Sequence, residues 1–436
     1  MHMVKRISFE HLFLYLFFIL IPFGIKKVEA IFVYPWGSKA IFLYAIDGVV
    51  AWLFIMWILR KGWRNIVYTS STTRALGLFV GIALLSLLFA SHRGLGAYTM
   101  LHLLEGVFLY FYFATHQTLT RDFAFRAILV GTTFQTFIGL LQFKAQKSIG
   151  ISYLGESHFG APIPGTATFY FGIEKFVRVP GTFLHPNILG AFLFMSSLLI
   201  LYYVLRSKDV VSSMLWLLFY YATNLLLLLT FSRSSITTIL VLTVIYLIVS
   251  YKKSRIQEMY VFVVWGLVFL TIGTMFGNVL TARFQHSFDE LSYKHRVIYN
   301  HIGLEVLSQR PLLGVGVGNF VDYAFHAKLY QAQQLSISYL YQPIHNLYLL
   351  IGVETGMFGV LAFLAFLALL FRSRFGELYS DPTLFVVSCV LAGFLMLGFA
   401  DHYFWDLEQG IVMLWTMLGL FALVSHKKQT MGVEFP

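Results

Sequence analysis

The sequence predicts an all-α, polytopic transmembrane protein: one membrane domain over residues 1–436, about twelve spans, and a long, partly helical outward loop. Three observations predict it. Hydrophobic residues make up 58% of the chain and charged residues only 12%, whereas a soluble domain carries about 25% charged residues. Apolar runs recur at the length of about 20 residues that a helix needs to cross the hydrocarbon core. Basic residues gather in alternate connections between those runs, as the positive-inside rule requires.

The runs cover 9–25, 39–59, 75–90, 97–115, 123–142, 186–205, 214–232, 234–250, 258–277, 345–371, 383–400 and 409–425. The basic connections hold Lys5 and Arg6; Arg60, Lys61, Arg64 and Arg74; Arg121 and Arg126; Arg206 and Lys208; Lys252, Lys253 and Arg255; Arg372 and Arg374; Lys427 and Lys428. They put both termini on the cytoplasmic side, which requires an even number of spans. Val28-Glu29-Ala30 resembles a signal cleavage site, but Lys26 and Lys27 separate it from the first run, and Glu10 and His11 lie early in that run. The first segment is therefore read as a retained span. The net charge of +11 follows from the basic connections, and no RNA- or DNA-binding motif accompanies it. Cys389 is the single cysteine, so an internal disulfide or a cysteine metal site is excluded.

Two long connections then face outward. The first, 143–185, is rich in Gly and Pro. The second, 278–344, begins loosely and reads as helix over 295–310; Pro311 ends that helix, glycines at 314, 316 and 318 form a turn, and a second helix covers about 319–334. Loops of this length between spans are usually functional.

His345 stands at the mouth of a long apolar helix. It is either an interfacial anchor or a general base, since an imidazole with a pKa near 6.5 can take a proton from a hydroxyl at neutral pH. Asn346 beside it caps the helix or holds a sugar hydroxyl. On a regular helix Gly352, Gly356 and Gly359 share a face with His345, leaving it open to a close helix or a bulky ligand. Arg233 is the only charge between Met214 and Ser250; it either snorkels to lipid phosphate or grips a phosphate in bidentate fashion. Arg178 precedes a Pro180-Gly181 turn, and His185-Pro186-Asn187 opens the next span. Together these elements suggest a cationic site for an anion at the outer leaflet.

Arg296 and Arg310 in the second loop are weaker candidates. His158, His185, His286, His295, His301, His326 and His402 show no metal-ligand spacing, and no metal site is expected. Asp401, Asp406 and Glu408 surround Trp405 and form either a solvated turn or orienting partners for a histidine or arginine. Asp47, Glu105 and Glu354 are acids inside apolar spans, where such residues are functional or paired; Glu354, nine positions from His345, is expected to face away from it. A phosphate-binding Gly-x-x-x-x-Gly-Lys-Ser/Thr motif is absent, and glycines 314–318 lack the β-α-β setting of a dinucleotide loop.

The chain resembles the O-antigen ligase / O-antigen polymerase superfamily of bacterial membrane glycosyltransferases from about residue 178 to 360. His345-Asn346, nine residues, then Gly356-Met-Phe-Gly359 matches His-[Asn/Ser/Gln]-x9-Gly-x-x-Gly. The run from Arg310 to Phe320 is similar to Pro-Leu-x-Gly-x-Gly-x-Gly-x-Phe. Ser232-Arg233, and Arg178 ahead of Gly181-Thr-Phe-x-x-Pro-Asn187, are also similar. The resemblance implies a GT-C-like fold in the bacterial inner membrane, with the active site on the periplasmic face. It implies transfer of a glycan from undecaprenyl pyrophosphate to an acceptor such as lipid A-core, without metal, cofactor or nucleotide sugar. His345 would be the catalytic base, Arg178 and Arg233 would bind pyrophosphate, and Arg296, Asn187 and Asn346 are further substrate-binding candidates.

Two departures bear on subclass. Arg178-Val-Pro-Gly181 is one residue shorter than the ligase Arg-x-x-x-Gly. The polymerase Arg-x10-Gly fails at both Arg178 and Arg296. Ligase is therefore favoured over polymerase. A transporter of twelve spans is disfavoured because loop 60–74 lacks Gly-x-x-x-Asp-Arg; in that case Asp47, Glu105 or Glu354 would matter most.

Overall fold

The computed structural model describes residues 9–34, 37–171, 174–250, 255–285, 291–335 and 337–424. Lys5, Arg6, Lys252, Lys253, His286, Lys427 and Lys428 lie outside the described residues. In chain order the elements are α1 (Phe9–Leu20), β1 (Lys26–Tyr34), β2 (Gly37–Tyr44), α2 (Ala45–Leu59), α3 (Ser71–Ser86), α4 (Arg93–Ala114), α5 (Arg121–Ala145), β3 (Thr168–Phe171), β4 (Glu174–Val177), α6 (Pro186–Val204), α7 (Val210–Leu229), α8 (Arg233–Ser250), α9 (Arg255–Gln285) and α10 (Leu291–Gln309). They continue with α11 (Phe320–His326), α12 (Leu329–Ala332), α13 (Leu347–Arg374), α14 (Pro382–Leu397), α15 (Tyr403–Asp406) and α16 (Glu408–Ala422).

Every expected apolar run contains a helix. Among the described residues seven helices are long and apolar enough to cross a membrane: α3, α4, α5, α6, α7, α9 and α13. Five shorter apolar helices of 10–17 residues, α1, α2, α8, α14 and α16, coincide with the remaining runs. Side-chain caps set several starts: Ser70, Thr120, Asp209 and Asp381 accept from backbone N–H groups of the turns they precede.

The expectation of an all-α chain is corrected by two antiparallel hairpins, β1–β2 and β3–β4. The run expected as one span over 39–59 divides at Ala45. Its first part pairs as β2 with β1, from Lys26 opposite Tyr44 to Tyr34 opposite Gly37. The Asp47 carboxylate accepts from Tyr44 N at 2.8 Å and starts α2 there. The second loop also differs. α9 continues through Gln285, past the expected loop start, because no Gly or Pro pair interrupts it. The expected helix over 319–334 is two short helices, parted where Lys328 takes φ 59°.

α6 is the axle of the fold. All nineteen of its residues are buried, as expected of a helix apolar on every face. It packs against α5, α7, α8 and α14, while α13 packs on α3 and α4 on α16. Arg121, expected in a cytoplasmic connection, is buried; its Nε donates to Leu420 O at 2.7 Å and Nη1 to Asp381 at 2.9 Å, so it serves the C-terminal end of α16.

α13 is broken. Gly356 adopts φ 73°, ψ 178°, and the backbone of the 311–318 loop splices into the gap. Val315 N donates to Val353 O at 3.0 Å, Gly316 N to Glu354 O at 3.0 Å, and Met357 N to Pro311 O at 2.8 Å. Carbonyls freed by the break are thereby satisfied, which a lipid environment demands. The expected glycine face along α13 therefore does not exist as one stripe: His345 precedes the helix and Gly356 meets the loop, not a ligand.

Candidate active site

Five separate stretches converge on a cavity of about 390 Å³. The segment after β4 contributes Arg178; the start of α6 contributes His185 and Asn187; the α7–α8 turn contributes Phe231 to Ser234; and α10 with the strand-like approach to α13 contributes His295, Arg296, Tyr299, Gln342 and His345. The cavity thus gathers Arg178, Arg233, His345, Arg296 and Asn187 from positions far apart in the chain. Among its described lining residues none is acidic. Three guanidinium groups in a partly desolvated pocket give it a positive character.

Arg178 is fixed on two sides. Its Nε donates to Thr230 O at 2.9 Å and its Nη2 to Asn187 Oδ1 at 2.6 Å. Asn187 in turn donates from Nδ2 to Asp401 Oδ2 at 2.8 Å. Arg233 is the first residue of α8 and follows a tight turn in which Phe231 takes φ 50°. That turn presents Arg233 and Ser232 to the cavity, where the arginine is half-buried. Arg296 lies one turn before Tyr299 on α10 and approaches Asp401 Oδ2 at 3.7 Å.

His345 is held by its own backbone turn. Its Nδ1 lies 3.1 Å from Pro343 O. A carbonyl only accepts, so Nδ1 carries the proton and Nε2 is left with its lone pair. The ring stacks on Tyr299 at 5.7 Å and meets His402 edge-on at 4.8 Å. Burial, then His402, pushes His345 down to about 4, so at neutral pH it is an uncharged imidazole able to accept a proton. His402 is displaced the other way: burial opposes its charge, but Asp406, at 2.7 Å from Nδ1, and Asp401 raise it. Despite its burial, Asp401 is held below the usual carboxylate range by His345, His402 and Arg296. His185 caps α6 by accepting from Asn187 N at 3.1 Å, and burial beside Arg178 holds it neutral, at about 3.

Asn346 caps α13 through Leu349 N at 3.0 Å and donates weakly to Phe399 O at 3.4 Å. It is not among the lining residues, and neither is Arg310, which is exposed. The solvated-turn reading of Asp401 is corrected: it is 7% exposed and orients an asparagine, an arginine and a histidine. Its sequence signal was the acid cluster around Trp405; Tyr299, His295 and Gln342 had none. Glu354 is a paired acid, and its partners do not include His345. It is buried and accepts from Trp405 Nε1 at 2.7 Å and Gly318 N at 2.8 Å, tying α15 to the glycine loop.

His345, Asp401 and His402 could offer ligand atoms within 4.8 Å of one another. Hydrogen bonds already use this trio: Asp401 accepts from Asn187 and from His402 N at 3.0 Å, and both imidazole Nδ1 atoms are engaged. The arrangement needs no ion to satisfy it. What it offers is a proton acceptor beside fixed cations.

No curated protein matches the chain. A family model described as O-antigen ligase matches residues 214–364, a stretch that includes Arg233, Arg296, His345 and Gly356. The match runs from α7 into α13 and says what that stretch of the chain is similar to.

Proposed function

We propose that the protein is an inverting glycosyltransferase that moves a glycan from undecaprenyl pyrophosphate to an acceptor hydroxyl, lipid A-core or similar, at the periplasmic face of the inner membrane. The supporting observation is one cavity that joins a neutral, oriented His345 to Arg178, Arg233 and Arg296, with no acid among its described lining residues. The family match supports the enzyme class. We read the twelve apolar helices among the described residues, seven of them long enough to cross a membrane, as twelve spans in a GT-C-like arrangement with both termini cytoplasmic.

In this reading the donor pyrophosphate lies against the guanidinium groups, which stabilise its growing charge as the bond from the anomeric carbon to phosphate oxygen breaks. The acceptor oxygen attacks the opposite face of that carbon, forms the new glycosidic bond and gives its proton to His345 Nε2. Undecaprenyl pyrophosphate departs, and the anomeric configuration inverts. Arginines supply the counter-charge that a divalent ion supplies elsewhere, so no step here is routed through a metal.

Purified protein incubated with the lipid-pyrophosphate glycan and lipid A-core, with and without added Mg²⁺, tests this. The expected result is acceptor that gains the mass of the glycan in both buffers. Lengthening of the donor glycan itself would show a polymerase. Absence of any transfer, or transfer only with Mg²⁺, would overturn the proposal.

A further inference from the structure

A second buried cluster lies away from the cavity, between α2, α4 and α16. It comprises Asp47 in the first turn of α2, His102 and Glu105 on α4, and Glu408 at the start of α16. Each offers one ligand atom, and the four atoms lie within 4.8 Å of one another. His102 Nδ1 approaches Glu408 Oε2 at 2.5 Å and Glu105 Oε2 at 3.4 Å.

The ion pairs of His102 with Glu408 and Glu105 leave part of this cluster unsatisfied. His102 is 7% and Glu408 5% exposed. Yet both ring nitrogens of His102, both carboxylate oxygens of Glu408, Glu105 Oε1 and Asp47 Oδ1 have no hydrogen-bond partner in the protein. The approach of His102 Nδ1 to Glu408 is an ion pair that uses one ring nitrogen and one carboxylate oxygen. Asp47 uses its other oxygen to start α2. The contrast with the His345–Asp401–His402 trio is direct, since there the carboxylate and one nitrogen of each ring have donors or acceptors.

Three carboxylates and one imidazole in a membrane domain carry more negative charge than one histidine can offset. Burying that charge without a partner is expensive. Glu408 and Asp47 gain something from their helix N-termini, but Glu105 sits in the middle of α4. Lys26 is drawn elsewhere, its ammonium 4.3 Å from the centre of the Phe42 ring. A cavity of about 570 Å³ adjoins the cluster, with Asp47, His102 and Glu105 in its wall among residues such as Phe42, Phe54 and Phe108. Three of the four groups therefore border open space and not packed side chains.

We infer that Asp47, His102, Glu105 and Glu408 bind one divalent transition-metal cation. One imidazole nitrogen with carboxylate oxygens is a donor set suited to Zn²⁺ or Mn²⁺. Spacing in the sequence shows no such site because the ligands come from three helices. The ion is structural: it joins α16 to α4 and α2, and so anchors the segment carrying Asp401, His402 and Asp406. Its existence does not depend on the proposed transfer reaction.

The test uses full-length protein in detergent. After incubation with ZnCl₂ or MnCl₂ and exhaustive dialysis, elemental analysis should find about one equivalent bound per chain, with Tm raised by about 3 °C or more over EDTA-treated protein. Glu408→Gln and His102→Gln should lose both the metal and the shift, and His345→Ala should keep both. Negligible retention by the wild type with an unmoved Tm would overturn the inference, leaving the carboxyls protonated instead. Loss of metal in His345→Ala with retention in Glu408→Gln would also overturn it, by placing the ion in the other cluster. If a substituted chain does not fold, the wild-type stoichiometry and its Tm shift still decide.

Discussion

Asn187 bridges Asp401 to Arg178: its Nδ2 donates to the carboxylate at 2.8 Å while its Oδ1 accepts from the guanidinium at 2.6 Å. One amide therefore transmits the position of the α14–α15 connection to the arginine assigned to pyrophosphate. Asp401 is the buried acid that balances Arg296 and His402. Asp401→Asn removes that balance and leaves the cations facing each other. We expect a loss of about 2–4 kcal/mol in stability and a fall of at least about tenfold in transfer rate. Thermal unfolding and glycan-transfer assays on the same preparation check both; unchanged values in both would deny Asp401 its orienting role.

His345→Ala separates chemistry from binding. Loss of a general base costs about 10²–10⁴-fold in rate, and the donor should still bind because the arginines remain. Arg178→Lys and Arg233→Lys should act differently. A lysine offers a point charge in place of a fork, so donor KM should rise several-fold with each. Steady-state kinetics against lipid-linked donor distinguish the two patterns. A KM effect from His345→Ala with unchanged kcat would reverse the assignment.

Much of this was legible in the sequence, for physical reasons that also explain the failures. Helices are announced by apolar runs because lipid demands length and composition together. The β1–β2 hairpin was hidden because Ala40 to Tyr44 is apolar, and a strand and a span look alike over so few residues. His345, Arg178 and Arg233 stood out because charges are rare in this chain. Glu354 stood out as an acid inside an apolar span, but its partners Trp405 and Gly318 come from the fold and not from spacing. Asp401 was open to a solvated reading because burial at 401 is decided by how α6 and α10 close over it. The Asp47–His102–Glu105–Glu408 cluster could not be seen at all, since only the packing of α4 on α16 brings Glu408 to the other three.

The pH dependence of transfer follows from opposite shifts in two adjacent rings. His345 is pushed down to about 4 by burial and His402. The free enzyme therefore keeps its base unprotonated well below the ordinary histidine pKa of about 6.5. The acid limb of kcat/KM should be flat from pH 7 to about 5 and fall only toward about 4. Stability is a poorer probe. The depressed His345 contributes stability present above about 6.5 and lost as pH falls, because the unfolded chain binds the proton first. The raised His402 contributes stability present below that value and lost as pH rises through its folded pKa. The two windows adjoin at about 6.5, so unfolding reports both rings while a kcat/KM profile over pH 4–8 reports the base; an acid limb centred near 6.5 would contradict the burial of His345.

The glycines of α13 are not equivalent. Gly356 holds φ 73° and ψ 178°, a region open essentially to glycine, and a Cβ there would lie 2.0 Å from Leu312 O. The obstacle is backbone, because Met357 N is bonded to Pro311 O and fixes that strand of loop against α13. Gly356→Ala must either expel the 311–318 loop or straighten the helix, and both displace Glu354, which holds Trp405 and Gly318. We expect a loss of about 3 kcal/mol or more and little folded protein in detergent. At Gly352 the nearest atoms to a new Cβ are 3.7 Å away, an ordinary contact, and the residue is regular helix. Gly352→Ala should therefore fold, with stability unchanged or raised by up to about 1 kcal/mol through helix propensity. Size-exclusion profiles and unfolding midpoints of the two variants, made in parallel, decide the matter: equal effects would mean that the break in α13 is not what the first motif glycine serves.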